Sequence, residues 1–276
     1  GFAEAVAVSG GYLYLGEGST LSIFDLASPA VPLRRGSVRL AGSIRGLAVA
    51  GSHVYAACGA AGLHAVNATN PDAPVLAQSF DSSGYASGVA VAGTTLLLAD
   101  GINGLRLFNI ATPSAPALVG AFATRGPAGA VSAAASTAYV LDTFEGLLVL
   151  NIANPAAPAT LGHFHPLPNG QALALAGSRV LVADEHARLS VIDVAAPGSP
   201  ALLGRAQLPF PVTALAAAGT HAYLAGGAAG VLTISFANPA APVPVATNDT
   251  AGSAAAVALG AATAYVADGF AGVQVL

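Results

Sequence analysis

Lysine, methionine and tryptophan are absent from the 276 residues, and cysteine occurs once. A single cysteine excludes an internal disulfide framework and any cysteine-based structural zinc site. Charge is scarce as well: 8 % of the residues are charged, against roughly 25 % in an ordinary soluble domain. Nine scattered arginines against 13 acidic residues give a net charge of -4, which argues against a nucleic-acid partner. No uninterrupted apolar run reaches the ~18 residues of a membrane helix, so no direct membrane insertion is expected. No run carries a helical period long enough for a helix. There is no G-x-S-x-G elbow, no H-E-x-x-H pair and no phosphate-cradling loop before a helix. The chain opens on Gly1 rather than on an initiator methionine, so a fragment or a processed chain is expected.

What is present is repetition. At 54 % hydrophobic residues the chain is not disordered, and its apolar residues recur in register. The segment GLRLFNIATPSAPALVGAF (104–122) returns as GLLVLNIANPAAPATLGHF (146–164) and RLSVIDVAAPGSPALLGRA (188–206). Looser copies start at 20, 62 and 230, and a seventh, GVQVL, ends the chain. Pro29, Pro71, Pro113, Pro155, Pro197 and Pro239 stand 42 residues apart, and a second proline ladder follows three residues later, from Pro32 to Pro242. The first copy lacks one residue in an early turn. The repeats run approximately over 1–45, 46–87, 88–129, 130–171, 172–213, 214–255 and 256–276, the last being partial.

Within a unit the pattern is strands only. In 88–122, GVAVAG, LLLAD, LRLFNI and ALVGAF read as four short strands, separated by Gly-, Asn- and Pro-bearing turns. Four antiparallel strands per 42 residues fit a propeller blade. The expected fold is all-β, a seven-bladed β-propeller forming a single domain. Alanine-rich copies of the first strand suit the crowded axis, and nearly continuous apolar runs in the middle strands suit burial between neighbouring blades. Six units of 42 and a remainder of 24 make the last blade three-stranded or truncated. The N-terminus opens almost directly on a first strand, so it has no spare strand to lend.

The copies NIATPSAP, NIANPAAP and VIDVAAPGSP, with VADG or LDT upstream, resemble the LVIVD repeat family of bacterial and archaeal proteins. That resemblance covers essentially the whole chain. It implies a secreted or cell-surface propeller, often joined to anchoring or adhesive modules of the same polypeptide, and it carries no catalytic residue set. Copy two departs from the pattern at Cys58 and Ala65, and copy six at Gly226 and Ser235.

Asp100, Asp142, Asp184 and Asp268 hold one repeated position, with Glu17 as the counterpart in the first copy. Each closes a second strand before a turn, where a carboxylate can accept backbone N–H bonds. The functional alternative is a ring of calcium sites. No unit shows Asp-x-Asp-x-Asp spacing, so turn capping is preferred and no cofactor is expected. Asp25, Asn67, Asn109, Asn151 and Asp193 lead into the proline loops and read as turn residues.

Non-repeated residues are the better site candidates, because a binding site needs different groups converging from different blades. They cluster in the loops from each fourth strand to the next first strand, around one mouth of the central channel: Arg39, Arg45, Asp81, Tyr85, Arg125, His165, Asn169, Phe210 and Asp249. His163 and His165 would point to one side of an extended segment, a weak metal pair whose third ligand would have to come from Asp184, His186 or a neighbouring loop. His53 and His221 read as solvent-facing hairpin residues. Cys58 reads as a buried, inert thiol with no obvious histidine partner downstream.

The expected function is a non-enzymatic recognition or scaffold domain, secreted or at the cell surface, that binds a protein or a glycan at the channel rim. One alternative is a sugar- or ester-directed hydrolase or lyase at the channel mouth, built from groups such as Arg125, His165 and Asp249. Another is a purely structural spacer.

Overall fold

The computed structural model describes residues 1–165, 167 and 169–276. It consists of seven antiparallel sheets and contains no helix among those residues: six sheets have four strands and the last has three. In the third blade the strands are Gly88–Ala92, Thr95–Ala99, Leu105–Asn109 and Ala117–Phe122. These lie within a residue of the runs read from the sequence. The last blade has Ala256–Leu259, Ala264–Ala267 and Val273–Val275.

Side-chain chemistry explains the order within a blade. The second and third strands are buried on both faces, and their apolar runs leave no polar face to solvate. The fourth strand is largely exposed and carries Gln78, His163 and Arg205. The first strands are half-buried and rich in alanine, because each faces the channel and touches the first strands on either side.

Each pair of neighbouring blades encloses one hydrophobic cluster, so seven clusters alternate with seven blades around the ring. The last joins blade seven to blade one through Tyr265, Ala267, Leu13 and Leu15. Fully burying one such leucine contributes roughly 1.5–3 kcal/mol.

The ring closes without a borrowed strand. Between blades two and three, Gly59 and Ala86 exchange backbone hydrogen bonds, each at 3.0 Å, and the pairs Gly101–Ala128 and Gly227–Ala254 do the same further round. The closure reuses that latch: Ala3 N–H donates to Gly269 at 3.0 Å, and Gly269 N–H returns to Ala3 at 3.2 Å. Tyr265 Oη donates to the Pro29 carbonyl at 3.2 Å, as Tyr55 does to Pro113 at 3.0 Å. Within the 276 residues the closing blade has three strands, and these are held like the first three strands of the other blades.

The proline loops start from side-chain caps. Asp25, Asn67, Asn109, Asn151 and Asp193 each accept the N–H two residues on, at 2.8–2.9 Å. The first hairpin of most blades turns on a glycine in the left-handed region, Gly93 at φ 59° for example. Blade four puts Ala135 there at φ 49°, a conformation that strains a Cβ-bearing residue.

Candidate functional site: the channel-mouth face

Each loop from a fourth strand to the next first strand begins at the outer edge and ends at the axis. Antiparallel pairing puts the turn between the second and third strands on this same face. The face is therefore built from two elements per blade, and the Asp position lies beneath both.

The four aspartates are buried. Asp142 accepts N–H groups from Gly126 (2.7 Å), Phe144 (2.7 Å) and Glu145 (2.5 Å). Asp100 accepts Ser82 Oγ at 2.5 Å, Asn103 Nδ2 at 3.1 Å and Arg106 Nε at 2.8 Å. Asp184 is held by the His186 N–H at 2.9 Å and by Arg188, whose Nε lies at 3.0 Å. Asp268 accepts Thr250 Oγ1 at 2.7 Å and the Gly252 N–H at 2.8 Å. Each carboxylate thus ties the incoming loop, the turn, or both to its blade. Among the described residues, no three His, Cys, Asp or Glu side chains gather as a metal would require.

Two blades solve the same problem differently. In blade six the position is Gly226, and the ring of Phe210 lies where a Cβ there would fall. Elsewhere the loop supplies a glycine over an aspartate, as Gly126 does over Asp142. Large and small residues have exchanged places. Phe210 is therefore half-buried against the core between blades five and six, not a ring offered to solvent. In blade two the position is Cys58, buried, its thiol pKa pushed up to about 12 by desolvation.

His64, six residues after Cys58, was passed over in the sequence. It is buried on the third strand, with Nδ1 2.7 Å from Ser79 Oγ, while Nε2 makes no hydrogen bond of good geometry. It makes no hydrogen bond with Cys58. Burial lowers its pKa, and the Ala41 backbone opposes this in part. His53 corrects an expectation: it is buried rather than solvent-facing, its Nε2 2.7 Å from Ser114 Oγ in the proline loop of the next blade, and burial lowers its pKa too. His221 holds the same position and is exposed, as expected.

Both buried histidines couple stability to pH. The unfolded chain takes up a proton near the ordinary 6.5, whereas the folded chain does so only at lower pH. Their contribution is therefore complete above ~6.5 and is lost as the pH falls toward the folded values. Melting measured from pH 7.5 down to 5 should show the temperature falling on the acid side. His64→Leu, the residue found at the equivalent positions Leu148 and Leu232, should flatten that slope. An unchanged slope would remove His64 from the account.

The nine rim candidates spread along the loops. Arg39 ends its fourth strand, while Asp81, His165 and Asp249 each follow one directly. All four hold one repeated position at the outer end, and the ring keeps equivalent positions apart. Asp81 accepts the Ser83 N–H at 2.9 Å. Arg125 pairs with Glu145 at 3.1 Å, and Asn169 Nδ2 donates to Glu185 at 2.8 Å. Among the described residues no hydrogen bond joins any two of Arg125, His165 and Asp249. His163 and His165 are exposed at the outer edge.

Arg45 alone of the nine lines the channel mouth, a depression of ≈ 290 Å³. It bonds Glu4 of blade one at 3.0 Å. The position that Arg45 occupies reads Glu4, Arg45, Ser87, Gly129, Gln171, Thr213 and Ala255 around the ring. Most of these residues were not singled out in the sequence, although aligning the copies exposes their divergence. Ser87 Oγ donates across the blade boundary to the Ala128 carbonyl at 3.2 Å, and Thr213 Oγ1 to that of Ala255 at 3.1 Å.

Among the grooves beside the mouth, two share two or more lining residues with it. One, of ≈ 460 Å³, shares Ser87 and Gly129 with the mouth and is walled by Tyr85 and Ile102. The other shares Arg45 and Thr213 and is walled by Phe2, whose ring meets Phe270 edge-on at 5.0 Å. Ile102, Phe144 and Phe270 hold one repeated turn position and are 81 %, 67 % and 87 % exposed, with Tyr85 at 47 %. The spacing of 42 between Ile102 and Phe144 was legible in the sequence, but their exposure was not.

Solved structures share this architecture at low identity. The WD40 repeats of RRP9 superpose with a TM-score of 0.78 at 10 % identity, covering 97 % of this chain and 87 % of that one. The computationally designed Ika8 protein gives 0.73 at 12 %, covering 99 % and 95 %. BamB from Moraxella catarrhalis gives 0.68 at 14 %, covering 99 % and 82 %. At such identities the likeness is one of fold alone. No curated protein matches the chain. The LVIVD repeat model matches residues 1–39, 41–82, 83–124, 125–165 and 169–207, which is most of the sequence, and the chain therefore belongs to the LVIVD repeat family.

Proposed function

We propose that this propeller is a binding module outside the cytoplasm, secreted or at the cell surface, and that it recognises a protein through its channel-mouth face. The supporting observation is the set of large apolar side chains on that face. Ile102, Phe144 and Phe270 are largely exposed, and three other copies manage with Ala60, His186 and Ala228 there. Exposed apolar anchors beside grooves are the composition of a protein-binding patch. The low charge content of the chain as a whole, 8 % of residues, leaves shape and apolar area to set specificity, rather than long-range steering. The family resemblance supports the extracytoplasmic setting. A glycan would use Tyr85, Phe144 and Phe270 as stacking platforms but would leave Ile102 unused.

The test uses an Ile102→Asp, Phe144→Asp double variant. Both sites are exposed, so its melting temperature should stay within ~2 °C of the parent. Capture of a protein partner from surface extracts of the source cells, read against the parent, should be lost. Equal capture by both chains would overturn the assignment of the face, and retention on a glycan array alone would move the ligand class to sugars.

A further inference from the structure

The position that Arg45 and Ser87 share around the channel mouth is glycine in one copy only, at Gly129. In blades one, four and five it is the extra residue of a bulge, marked by register shifts between Ala3 and Ala5, Ala128 and Ala130, and Gly170 and Ala172. A bulge re-aims the side chain it carries. The fold does not ask for glycine at Gly129. Its φ lies outside the left-handed region, and a Cβ added there would meet no atom within 4 Å. The other six copies hold residues with a Cβ. Glycine within a strand is destabilising, and it often marks a close approach of another backbone or a ligand.

The missing side chain opens a passage. Ser87 and Gly129 line both the mouth and the ≈ 460 Å³ groove walled by Tyr85 and Ile102. That groove lies over blade three, between the loops that enter blades three and four. Ser87 and Gly129 flank its inner end, so a chain running inward along it passes between them to the axis.

One charge sets the chemistry at the end of the passage. Arg45 is the only charged residue lining the mouth. Its partner Glu4 lines the other groove and takes Nη1 alone, at 3.0 Å. Among the described residues, Nε and Nη2 of Arg45 make no hydrogen bond, and the side chain is 41 % exposed. The same Nε–Nη2 edge of Arg35 grips the Asp72 carboxylate, at 2.7 and 2.8 Å. A free guanidinium edge fits a carboxylate with two parallel bonds.

We propose that groove and mouth together take the C-terminal tail of a protein partner. One large apolar side chain lies between Tyr85 and Ile102, the chain passes between Ser87 and Gly129, and the terminal carboxylate seats on the Nε–Nη2 edge of Arg45. This rests on the reading of the face as a protein-binding surface and names the segment that it takes. A chain end is favoured over the acidic side chain of a loop, because the groove leads to the axis of the ring and a loop would have to return along it. Strands lie about 4.8 Å apart, so the turn bearing Ile102 stands about 7 Å outward of the first strands, roughly two extended residues. The apolar residue therefore falls one or two places before the end.

The probes are two acetylated peptides with free C-termini, GSGSLG and GSGLSG, and their amidated copies. One or both of the free acids should bind saturably, and the amidated copy at least about tenfold more weakly. Arg45→Gln should bring acid and amide level. Gly129→Leu should block binding without lowering the melting temperature, because its side chain enters open space. No saturable binding, equal binding of acid and amide, or full binding by Gly129→Leu would each overturn the proposal. Amidated GSGSLD binding as well as the free acids would overturn the chain-end assignment in favour of an acidic side chain. If Arg45→Gln and Gly129→Leu still captured a protein that the Ile102→Asp, Phe144→Asp variant loses, the face would stand and the C-terminal assignment alone would be overturned.

Discussion

Leu107→Asp should leave no cooperatively folded protein. Leu107 is fully buried in the cluster between blades three and four, packed with Leu97, Val140 and Leu148 among others. Removing the leucine alone costs about 2–5 kcal/mol, as in other core truncations. Burying an unpaired carboxylate adds several kcal/mol more, because no basic group lies in that apolar cluster. The sum approaches the whole stability of an ordinary domain, about 5–15 kcal/mol. Thermal unfolding followed by circular dichroism should show no transition for Leu107→Asp. The control is Leu107→Val, which copies the residue found at the equivalent positions Val149 and Val191. It should melt cooperatively, at a cost of about 1 kcal/mol. A cooperative transition in the Asp variant would mean that this strand does not face the neighbouring blade.

Asp142→Ala should produce the second largest loss, from a polar rather than an apolar cause. Asp142 is buried and collects three backbone N–H groups, from the incoming loop and from its own turn. Alanine leaves all three without that acceptor. A buried unsatisfied donor costs ~1–3 kcal/mol. Two of the three sites are partly solvated, so the expected total is about 2–4 kcal/mol. That corresponds to a fall of roughly 5–15 °C in melting temperature for a domain of this size. Asp142→Asn keeps one carbonyl acceptor and should lose less. If the alanine variant melted within a degree of the parent, the carboxylate would not be tying the loop to the blade. The same loss should loosen the face, because Phe144 belongs to the turn that Asp142 fixes.

Most of the fold was legible because it is written six or seven times. The 42-residue proline ladders set the repeat, and the bounds of Ala117–Phe122 can be read from the chain to the residue. Alternation of apolar and turn-forming residues is local information, and repetition averages out the ambiguity of any single copy. The polar caps at Asn109 and Asn151 are local for the same reason, since each bonds a group two residues away. The site was less legible. Arg39, Asp81, His165 and Asp249 drew attention as non-repeated polar residues, yet they share one outer position. Only the inner end of each loop reaches the channel, which is where Arg45 lies.

The sequence by itself determined the strand pattern and the blade count, because each follows from spacing along the chain. Tertiary structure decided what depends on the neighbouring blade. His53 is buried because Ser114, 61 residues away, stands against it in the next blade. Gly226 is glycine because the ring of Phe210 fills its space. In a closed ring, every side chain between blades has partners in a neighbouring repeat. Burial at those positions is a property of pairs of repeats, and no single copy of the 42-residue pattern contains it.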